Sequence, residues 1–389
     1  MPQNLLVAHG GGPTAVINAS LAGVVQQAQC SPEIDKVYAA RNGIEGVLRG
    51  DFVELSMLTE AEIVRLARTP GSAIGSCRYK VAEEDYGRIV EKLDELSAGM
   101  FLYNGGNDSM DTCLTVSRIT DRTRVIGIPK TIDNDLAGTD HSPGFPSAAR
   151  YYAVAAAELL TDVEGLDIHV SILETMGRNA GWLAASTALA AHVSGAAPAL
   201  VYLPEVAFDR ERFLEQVESA WKARGERGFV VAVSEGLVDQ NGEVVVAATH
   251  RAAVDSFGHA MPGNVSAHLA SLITGELGIR ARSEKPGLLG RVASAHVSPV
   301  DRREAFGAGV RAVQAAVDGI TGKMITITRS SALPYESSFG MVDLADVANT
   351  ERLLPESYYD APSAQMTPAF TAYALPLLGD GLPSFFRRR

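Results

Sequence analysis

Residues 126–145 read IGIPKTIDNDLAGTDHSPGF, in which a lysine and three acids crowd one short stretch. Residues 125–128 are apolar and end at Pro129, which is typical of a buried strand whose carboxyl end opens into a loop. In an open parallel sheet, ligands bind at that edge. We therefore expect a ligand beside the polar residues that follow the strand: Lys130, Thr131, Asp133, Asn134 and Asp135.

The acids of this loop have two interpretations. An Asp-x-Asp pair can offer one carboxylate to a proton and the other to a metal. Alternatively, Asn and Asp side chains cap backbone groups in a solvated, turn-rich loop. The stretch alone does not decide between them, so the decision depends on the other motifs of the chain.

The composition limits the classes of function. The chain has 389 residues, 46% hydrophobic and 21% charged, with a formal net charge of −12. This charge argues against a nucleic-acid or anionic-membrane surface. An anionic small ligand would therefore need cationic side chains gathered locally around it.

The cysteines and the apolar segments bear on the compartment. Cys30, Cys77 and Cys113 stand at unrelated spacings, so we expect reduced thiols and a cytoplasmic protein. The first residues, MPQNLLVAHGGG, have no basic region before the apolar run and do not predict a signal peptide. No apolar segment reaches membrane-spanning length.

Two further glycine-rich loops follow apolar runs. Residues 5–8 lead into HGGGPT (9–14) and an expected helix from Ala15 to about Gln27, and residues 99–103 lead into NGGNDSMD (104–111). Strand, glycine loop and helix together form an arrangement that can receive a phosphate, although a simple tight turn is the alternative for the loop at 9–14. A third loop, GSAIGSCRYK (71–80), ends in cations that either contact an anion or stay solvated. Glycine-rich or acidic loops thus follow three apolar runs, at residues 9–14, 104–111 and 129–135. Together they predict a doubly wound α/β sheet.

The remaining segments extend the α/β pattern. A capping box at residues 59–62 predicts a helix start, and we expect helices at 83–96, 147–160, 182–191, 301–317 and 344–354. We expect strands at 167–173, 199–203 and 229–233. Residues 278–294 are rich in cations, and the chain ends in FFRRR. Domain boundaries are expected near Gly144 and Gly290.

The order of the motifs resembles the phosphofructokinase family, and within it the pyrophosphate-dependent 6-phosphofructokinases. The most specific motifs are PKTIDND (129–135) and MGR-x-AG (176–181), and the resemblance extends from residue 5 to about residue 317. It implies two Rossmann-like doubly wound domains with the active site in the cleft between them. Residues 1–144 with 290–345 would bind the phosphoryl donor, and residues 145–289 with 346–389 the sugar phosphate.

The resemblance also implies an activity. The family transfers a phosphoryl group to the 1-hydroxyl of fructose 6-phosphate with Mg²⁺, giving fructose 1,6-bisphosphate, and its pyrophosphate-using branch works reversibly in glycolysis or gluconeogenesis. The expected assembly is a homodimer or a homotetramer.

Site residues carry over by position from the family motifs. Asp133 matches the catalytic base, and catalytic roles are also implied for Lys130, Arg178 and Asp108. By this resemblance, the residues that would bind fructose 6-phosphate are Thr131, Asp133, Met176, Gly177, Arg178, Glu235, Arg282, Leu288 and Arg291. The resemblance also implies that Gly11, Gly12, Arg78 and Lys130 bind the diphosphate. It implies that Asn107 and Asp135 bind the metal.

The choice of donor depends on Asp108 and Lys130, where ATP-using relatives typically have glycine. A carboxylate at Asp108 would occupy the space of an α-phosphate. Two like charges about 4 Å apart repel by roughly 4 kcal/mol at an effective dielectric near 20, which is on the order of a thousandfold in affinity. Lys130 would add a cation for pyrophosphate. We therefore expect pyrophosphate as the donor.

Three positions depart from the family pattern. Asn107 replaces the usual magnesium-associated aspartate, and an amide oxygen is a weaker ligand. His169 replaces an arginine that, in many members, reaches across a subunit boundary, so it either donates a hydrogen bond there or packs as an ordinary strand residue. Leu288 replaces an aromatic residue or a histidine that often contacts the sugar phosphate, so that contact is expected to be missing.

Three rival functions stay open. The first is an ATP-dependent 6-phosphofructokinase. The second is a broader sugar phosphotransferase that also accepts sedoheptulose 7-phosphate. The third is a non-catalytic regulatory subunit, which Asn107 favours and the intact Asp133, Lys130 and Arg178 oppose.

Overall fold

The structure is a computed structural model that describes residues 2–166, 169–246 and 263–386. Its strands are β1 (Gln3–His9), β2 (Ile34–Ala40), β3 (Phe52–Glu54), β4 (Ala98–Gly105), β5 (Arg124–Pro129), β6 (Val170–Thr175), β7 (Leu200–Tyr202), β8 (Phe229–Ser234), β9 (Ala281–Glu284), β10 (Lys323–Ala332), β11 (Tyr335–Asp343), β12 (Tyr359–Asp360) and β13 (Gln365–Met366).

The helices alternate with these strands along most of the chain. They are α1 (Ile17–Gln29), α2 (Ile44–Arg49), α3 (Glu60–Arg68), α4 (Glu83–Glu95), α5 (Asn107–Ile119), α6 (Phe145–Leu166), α7 (Trp182–Ser186), α8 (Ala191–Ser194), α9 (Arg210–Ala223), α10 (Val265–Leu277), α11 (Leu289–Val292), α12 (Pro299–Val317), α13 (Leu344–Val347) and α14 (Pro368–Leu378).

The chain divides into two compact units. The first unit comprises residues 1–147 and 291–352, and the second comprises residues 148–290 and 353–389. The first unit holds a seven-stranded sheet in the order β11-β10-β5-β4-β1-β2-β3. The second unit holds a four-stranded sheet in the order β7-β8-β6-β9 and a short β12-β13 pair. The predicted α/β class with doubly wound sheets is confirmed.

Pairing within the first sheet explains where its loops lie. β2, β1, β4, β5 and β10 run parallel to their neighbours, and only β3 and β11 join antiparallel, at the two ends of the sheet. The carboxyl ends of the parallel strands therefore meet at one edge. In the second unit, all pairs of the four-stranded sheet are parallel.

The core of the first unit has two layers because strand side chains alternate between the faces of the sheet. Leu5 and Val7 belong to the cluster that packs under α1 and α12, whereas Leu6 and Ala8 belong to the cluster on the opposite face. All four side chains are fully buried. A strand buried on both faces reads as a continuous apolar run, which is why β1 could be predicted from its sequence.

The predicted elements agree with the observed ones apart from two helices, those predicted at 182–191 and 344–354. The capping box is present, since Thr59 Oγ1 accepts from the Glu62 N–H and Glu62 accepts from the Thr59 N–H. The predicted strand at 167–173 is observed from Val170, and residues 167–168 lie outside the described residues. The helix predicted at 344–354 is wrong beyond Val347, where the chain turns through Asn349 at φ +60°.

The second difference lies at 182–191, where one predicted helix is two short α-helices joined by a 3₁₀ turn at 187–190. The hairpin of β10 and β11 was not predicted, although residues 328–332 alternate in exposure as an edge pair does. None of the helices in the described ranges combines the length and apolar character that a membrane span requires.

Close packing of α1 on α12 depends on two glycines. A Cβ at Gly23 would overlap the Phe306 carbonyl, and a Cβ at Gly309 would overlap the Ser20 carbonyl. The two helix backbones therefore touch at this crossing, and neither position can hold a side chain without moving a helix. Because α1 directly follows the first glycine loop, the crossing also fixes that loop.

We expect Gly309→Ala to lower the free energy of unfolding by up to about 2 kcal/mol. The overpacking penalty of about 1–3 kcal/mol exceeds the gain of about 1 kcal/mol in helix propensity. Urea unfolding followed by circular dichroism measures the change. The matched control is Gly87→Ala in α4, where a Cβ meets nothing within 4 Å, and we expect it to stabilise by about 0.5–1 kcal/mol. Equal effects of the two changes would contradict the close crossing.

Candidate active site

Three loops share the carboxyl edge of the seven-stranded sheet. β1, β4 and β5 are neighbours there, and their ends are joined by backbone hydrogen bonds from Gly10 N to Asn104 O (2.8 Å) and from Lys130 N to Gly105 O (3.1 Å). The glycine loop at 10–12, the loop at 105–108 and the PKTIDND loop are thereby held side by side. The structure thus brings together the three motifs of the first unit.

Lys130 lies at the centre of this edge. Its side chain is buried, with 4% exposed, and its ammonium donates to the Gly12 carbonyl at 3.0 Å. Burial lowers the pKa of Lys130 to about 8, while the charges of Asp135 and Asp133 oppose that shift and the charges of Arg291 and Arg78 add to it. A buried ammonium needs such acceptors and carboxylates, because an unpaired charge away from water is very costly.

Two arginines complete the cationic surroundings of the glycine loop. A Cβ at Gly12 would lie 2.7 Å from Arg291 Nη1 and 3.5 Å from Arg78 Nη2, and a Cβ at Gly11 would lie 3.2 Å from Lys130 Nζ. A side chain at residue 12 would therefore displace the Arg291 guanidinium. We call Gly11, Gly12, Arg78, Lys130 and Arg291 the cation cluster. It meets the demand that the net charge of −12 places on an anion site.

Arg291 lies at the glycine loop, with its guanidinium beside that of Arg78. Its assignment to the sugar phosphate, which the resemblance implies, stays a prediction. Burial and the charge of Arg78 lower the pKa of Arg291, and the charge of Asp133 opposes that shift. Its Nε is buried and has no hydrogen-bond partner among the described residues. Arg291 thus adds a spare donor to the cation cluster.

The acidic loop is shaped by its own polar side chains. The Asp133 N–H donates to Thr131 Oγ1 at 3.0 Å, and Asn134 has a left-handed φ of +54°. The buried Asn134 side chain accepts from the Ser142 N–H at 3.0 Å. Asn134 therefore caps a backbone group of its own loop. The charge of Asp133, in contrast, raises the pKa of both Lys130 and Arg291.

Asn107 and Asp135 lie together, as a shared metal site would require. Asn107 Nδ2 lies 3.5 Å from Asp135 Oδ2, and Asn107 Oδ1 is buried with no hydrogen-bond partner in the described part of the chain. Burial raises the pKa of Asp135, and Thr131 and Lys130 oppose that shift. No group of three or more His, Cys, Asp or Glu side chains suited to a metal occurs in the described ranges. A cation here would take one oxygen ligand from Asn107 and one or two from Asp135.

Asp108 occupies the first turn of α5 and is exposed. A carboxylate in the first turn interacts favourably with the helix dipole, so Asp108 also has a structural use. Its position beside Asn107 puts it at the same sheet edge as the cation cluster. The predicted role of Asp108 in donor choice stays a prediction.

In the second unit, the MGR motif follows β6 and is held by close backbone packing. The Met176 N–H donates to Tyr152 Oη at 3.1 Å. Gly177 has a φ of +116°, and its carbonyl accepts from Ser234 Oγ. A Cβ at Gly236 would overlap the Arg178 carbonyl. Glycine at 177 and 236 therefore lets the loop after β6 pack on the loop after β8.

Glu235 lies among charged side chains at this edge. Burial raises the pKa of Glu235, Lys285 and Arg178 lower it, and Glu174 raises it further. Lys285 Nζ forms an ion pair with Glu174 Oε1 at 2.5 Å. Sequence analysis did not single out Glu174, Lys285 or Tyr152 as site residues. The only sequence signal for Lys285 was its place in the cation-rich stretch 278–294.

Arg282 and Leu288 are two further residues of the second unit that the resemblance connects with the sugar phosphate. Arg282 pairs in register with Ser171, near the amino end of β6, and its charge acts on the buried His169. Burial and the charge of Arg282 lower the pKa of His169. Leu288 is 63% exposed. The parallel register of β9 on β6 holds Arg282 towards the amino end of β6, and its assignment to the sugar phosphate stays a prediction.

Comparisons with known proteins identify the family of the chain. Residues 4–316 match the family model described as Phosphofructokinase. The chain is 42% identical to the pyrophosphate–fructose 6-phosphate 1-phosphotransferase of Xanthomonas campestris pv. campestris (strain B100), over 98% of this chain and 95% of the relative. It is 32% identical to the sulfofructose kinase of Alkalicoccus urumqiensis, over 93% of each.

A solved structure gives the same result for the fold. The pyrophosphate-dependent phosphofructokinase from Marinobacter aquaeolei superposes with a TM-score of 0.87 at 37% sequence identity, covering 99% of this chain and 94% of that chain. The order of motifs, the two α/β units, the family match and this superposition lead to one conclusion: the chain belongs to the phosphofructokinase family.

Proposed function

We propose that the chain transfers a phosphoryl group from pyrophosphate to the 1-hydroxyl of fructose 6-phosphate, giving fructose 1,6-bisphosphate and phosphate. The observation that carries this proposal is the cation cluster, in which the buried Lys130 ammonium holds the Gly12 carbonyl. The full-length similarity to a pyrophosphate–fructose 6-phosphate 1-phosphotransferase at 42% identity supports the same donor and acceptor.

Pyrophosphate suits the cation cluster better than a nucleotide does. It is a compact polyanion without a nucleoside, so its binding energy has to come from cations and backbone N–H groups. Lys130, Arg78 and Arg291 supply the cations at one glycine loop. We propose that Asp108 repels the α-phosphate of a bound nucleotide, which has no counterpart in pyrophosphate.

The transfer needs a group that receives the proton of the 1-hydroxyl. We assign this role to Asp133, whose carboxylate accepts the proton as the hydroxyl oxygen bonds to phosphorus and phosphate leaves. Lys130 and Arg178 would stabilise the charge on the transferring group. Met176, Gly177 and Glu235 would hold the sugar, with Thr131 beside its reacting end.

Mg²⁺ is the proposed metal. Asn107 Oδ1, an orphaned buried oxygen, and the Asp135 carboxylate are the kind of ligands it prefers, so the residues fit the ion. Mg²⁺ usually keeps several waters and binds through few protein oxygens together with phosphates. When bound, it would neutralise charge on the diphosphate. Asn107 in place of a carboxylate predicts a low affinity for the free ion.

The second copy of the chain would complete the sugar site. Arg282 and His169 lie at the amino end of β6, apart from Glu235, so we propose that they contact the sugar phosphate of a neighbouring copy in a homodimer or homotetramer. The expected cytoplasmic location stays a prediction, supported by the free thiols of Cys30, Cys77 and Cys113. Use of sedoheptulose 7-phosphate also stays open to product analysis.

Initial rates with fructose 6-phosphate and Mg²⁺ test the donor. We expect kcat/KM with pyrophosphate to exceed kcat/KM with ATP by on the order of a thousandfold, the factor that about 4 kcal/mol of repulsion gives. Asp108→Asn removes the charge at nearly constant size, so it should raise kcat/KM with ATP and leave pyrophosphate within about threefold.

The outcomes of this assay separate the rival functions. A higher kcat/KM with ATP than with pyrophosphate would overturn the choice of donor and leave the ATP-dependent enzyme. No turnover with either donor would favour the regulatory subunit. An unchanged ATP rate in Asp108→Asn would show that size rather than charge excludes the nucleotide.

Asp133→Ser tests the assignment of the base. We expect kcat to fall by about 10²–10⁴, the usual contribution of a positioned general base. Fructose 6-phosphate affinity, measured by calorimetry, should change by less than about threefold because Asp133 is not its main charge partner. Asp140→Ser, in the same segment, is the control and should keep its turnover. Retained turnover in Asp133→Ser would refute the assignment.

A further inference from the structure

His9 is a buried polar residue that the proposed mechanism does not use. It is the last residue of β1, it is 0% exposed, and it pairs in register with Asn104 of β4. Its Nδ1 lies 2.8 Å from Ser72 Oγ, in the loop at 71–78. His9 therefore joins the strand end before the glycine loop to a separate loop that the sequence places 63 residues away.

The hydrogen bonds of Ser72 fix the tautomer of His9. Ser72 Oγ donates its single proton to the Gly75 carbonyl at 2.8 Å, so the oxygen can only accept from His9. His9 must therefore carry its proton on Nδ1, and Nε2 is a lone-pair acceptor. Nε2 is buried and has no hydrogen-bond partner among the described residues.

The loop held by His9 supplies part of the cation cluster. Its Ser76 Oγ donates to the Gly11 carbonyl at 2.7 Å, and its Cys77 carbonyl accepts from the Gly11 N–H at 3.0 Å. The next residue, Arg78, presents its guanidinium to Gly12. The position of Arg78 thus depends on how the first half of the loop, around Ser72, is anchored.

The charge of the side chain at residue 9 affects the anion site, because Lys130 lies close enough to His9 to lower its pKa. Burial, together with the charge of Lys130, lowers the pKa of His9 to about 3, so the imidazole stays neutral at working pH. An acidic side chain here would pair with Lys130 and reduce the positive charge offered to an anion. A cationic side chain would add a second buried charge beside the ammonium, at a large desolvation cost.

We propose that His9 is a positioning residue for pyrophosphate: its neutral imidazole anchors the loop at 71–78 through Ser72 and so places Arg78 against Gly12, without altering the charge of Lys130. The inference rests on the proposed function, since it assigns the cation cluster to pyrophosphate. His9 does not touch the reacting atoms and acts through Ser72 and Arg78.

A double-mutant cycle of His9→Ala and Ser72→Ala tests this path. Each single change should raise KM for pyrophosphate by about tenfold, because one buried hydrogen bond is lost, while KM for fructose 6-phosphate stays within about twofold. The double variant should be no worse than the poorer single variant, since both changes break the same link. His9→Asn, whose amide N–H can replace Nδ1–H, should restore KM for pyrophosphate to within about threefold of the original chain.

Thr321→Ala is the matched control for a merely structural effect. It removes a hydroxyl that accepts from the Val125 N–H at 2.9 Å, at the amino end of β5. It should lower thermal stability without changing KM for pyrophosphate. Should His9→Ala not fold, Ser72→Ala and His9→Asn still give the comparison.

Three results would overturn the inference. Additive effects in the double variant would show that His9 does not act through Ser72. Equal increases in the KM of both substrates, or a His9→Asn variant as weak as His9→Ala, would show a general structural role. Absence of pyrophosphate turnover in the original chain would instead refute the proposed function, so the two failures are distinguishable.

Discussion

Burial of the Lys130 ammonium is the constraint on which the described site depends. A cation with 4% of its side chain exposed can stay charged only if carbonyl oxygens and carboxylates surround it. The Gly12 carbonyl and the charges of Asp133 and Asp135 meet this need, and they come from two different loops. The ammonium therefore fixes the PKTIDND loop to the glycine loop, and it leaves both loops facing the same ligand space.

The rest of the first unit supports this arrangement. Parallel pairing of β1, β4 and β5 brings the loops to one edge, and the crossing of α1 on α12 at Gly23 and Gly309 fixes the helix that follows the glycine loop. The same edge gathers positive charge in a chain whose net charge is −12. The placement of cations, rather than the overall charge, thus selects an anionic ligand.

Local patterns made much of this predictable. The apolar run of β5 and the polar residues after it placed Lys130, Asp133 and Asp135 at a ligand edge, and the position of Lys130 agrees with that expectation. The capping box at Thr59 and the strands β1, β4 and β8 were also readable, because each is encoded by neighbouring residues.

Contacts between distant segments were not predictable from one sequence. Tyr152 supports Met176 from α6, and Lys285 pairs with Glu174 from a different strand, so no local pattern signals either. The end of β6 at which Arg282 lies depends on the register of β9 on β6, which no local pattern encodes. The hairpin of β10 and β11 was missed because most of its residues are partly or fully exposed, where periodicity is a weak signal.

A pH titration of the Lys130 side chain by NMR would test whether its buried ammonium is the cation that the anionic ligand binds. Lysine labelled with ¹³C at Cε would report each ammonium, and Lys130→Arg would assign the signal. We predict a pKa near 8 for Lys130 in the free protein and a clear rise when pyrophosphate binds, because the polyanion favours the charged form. A pKa near the ordinary value of about 10.4, unchanged by pyrophosphate, would contradict this prediction.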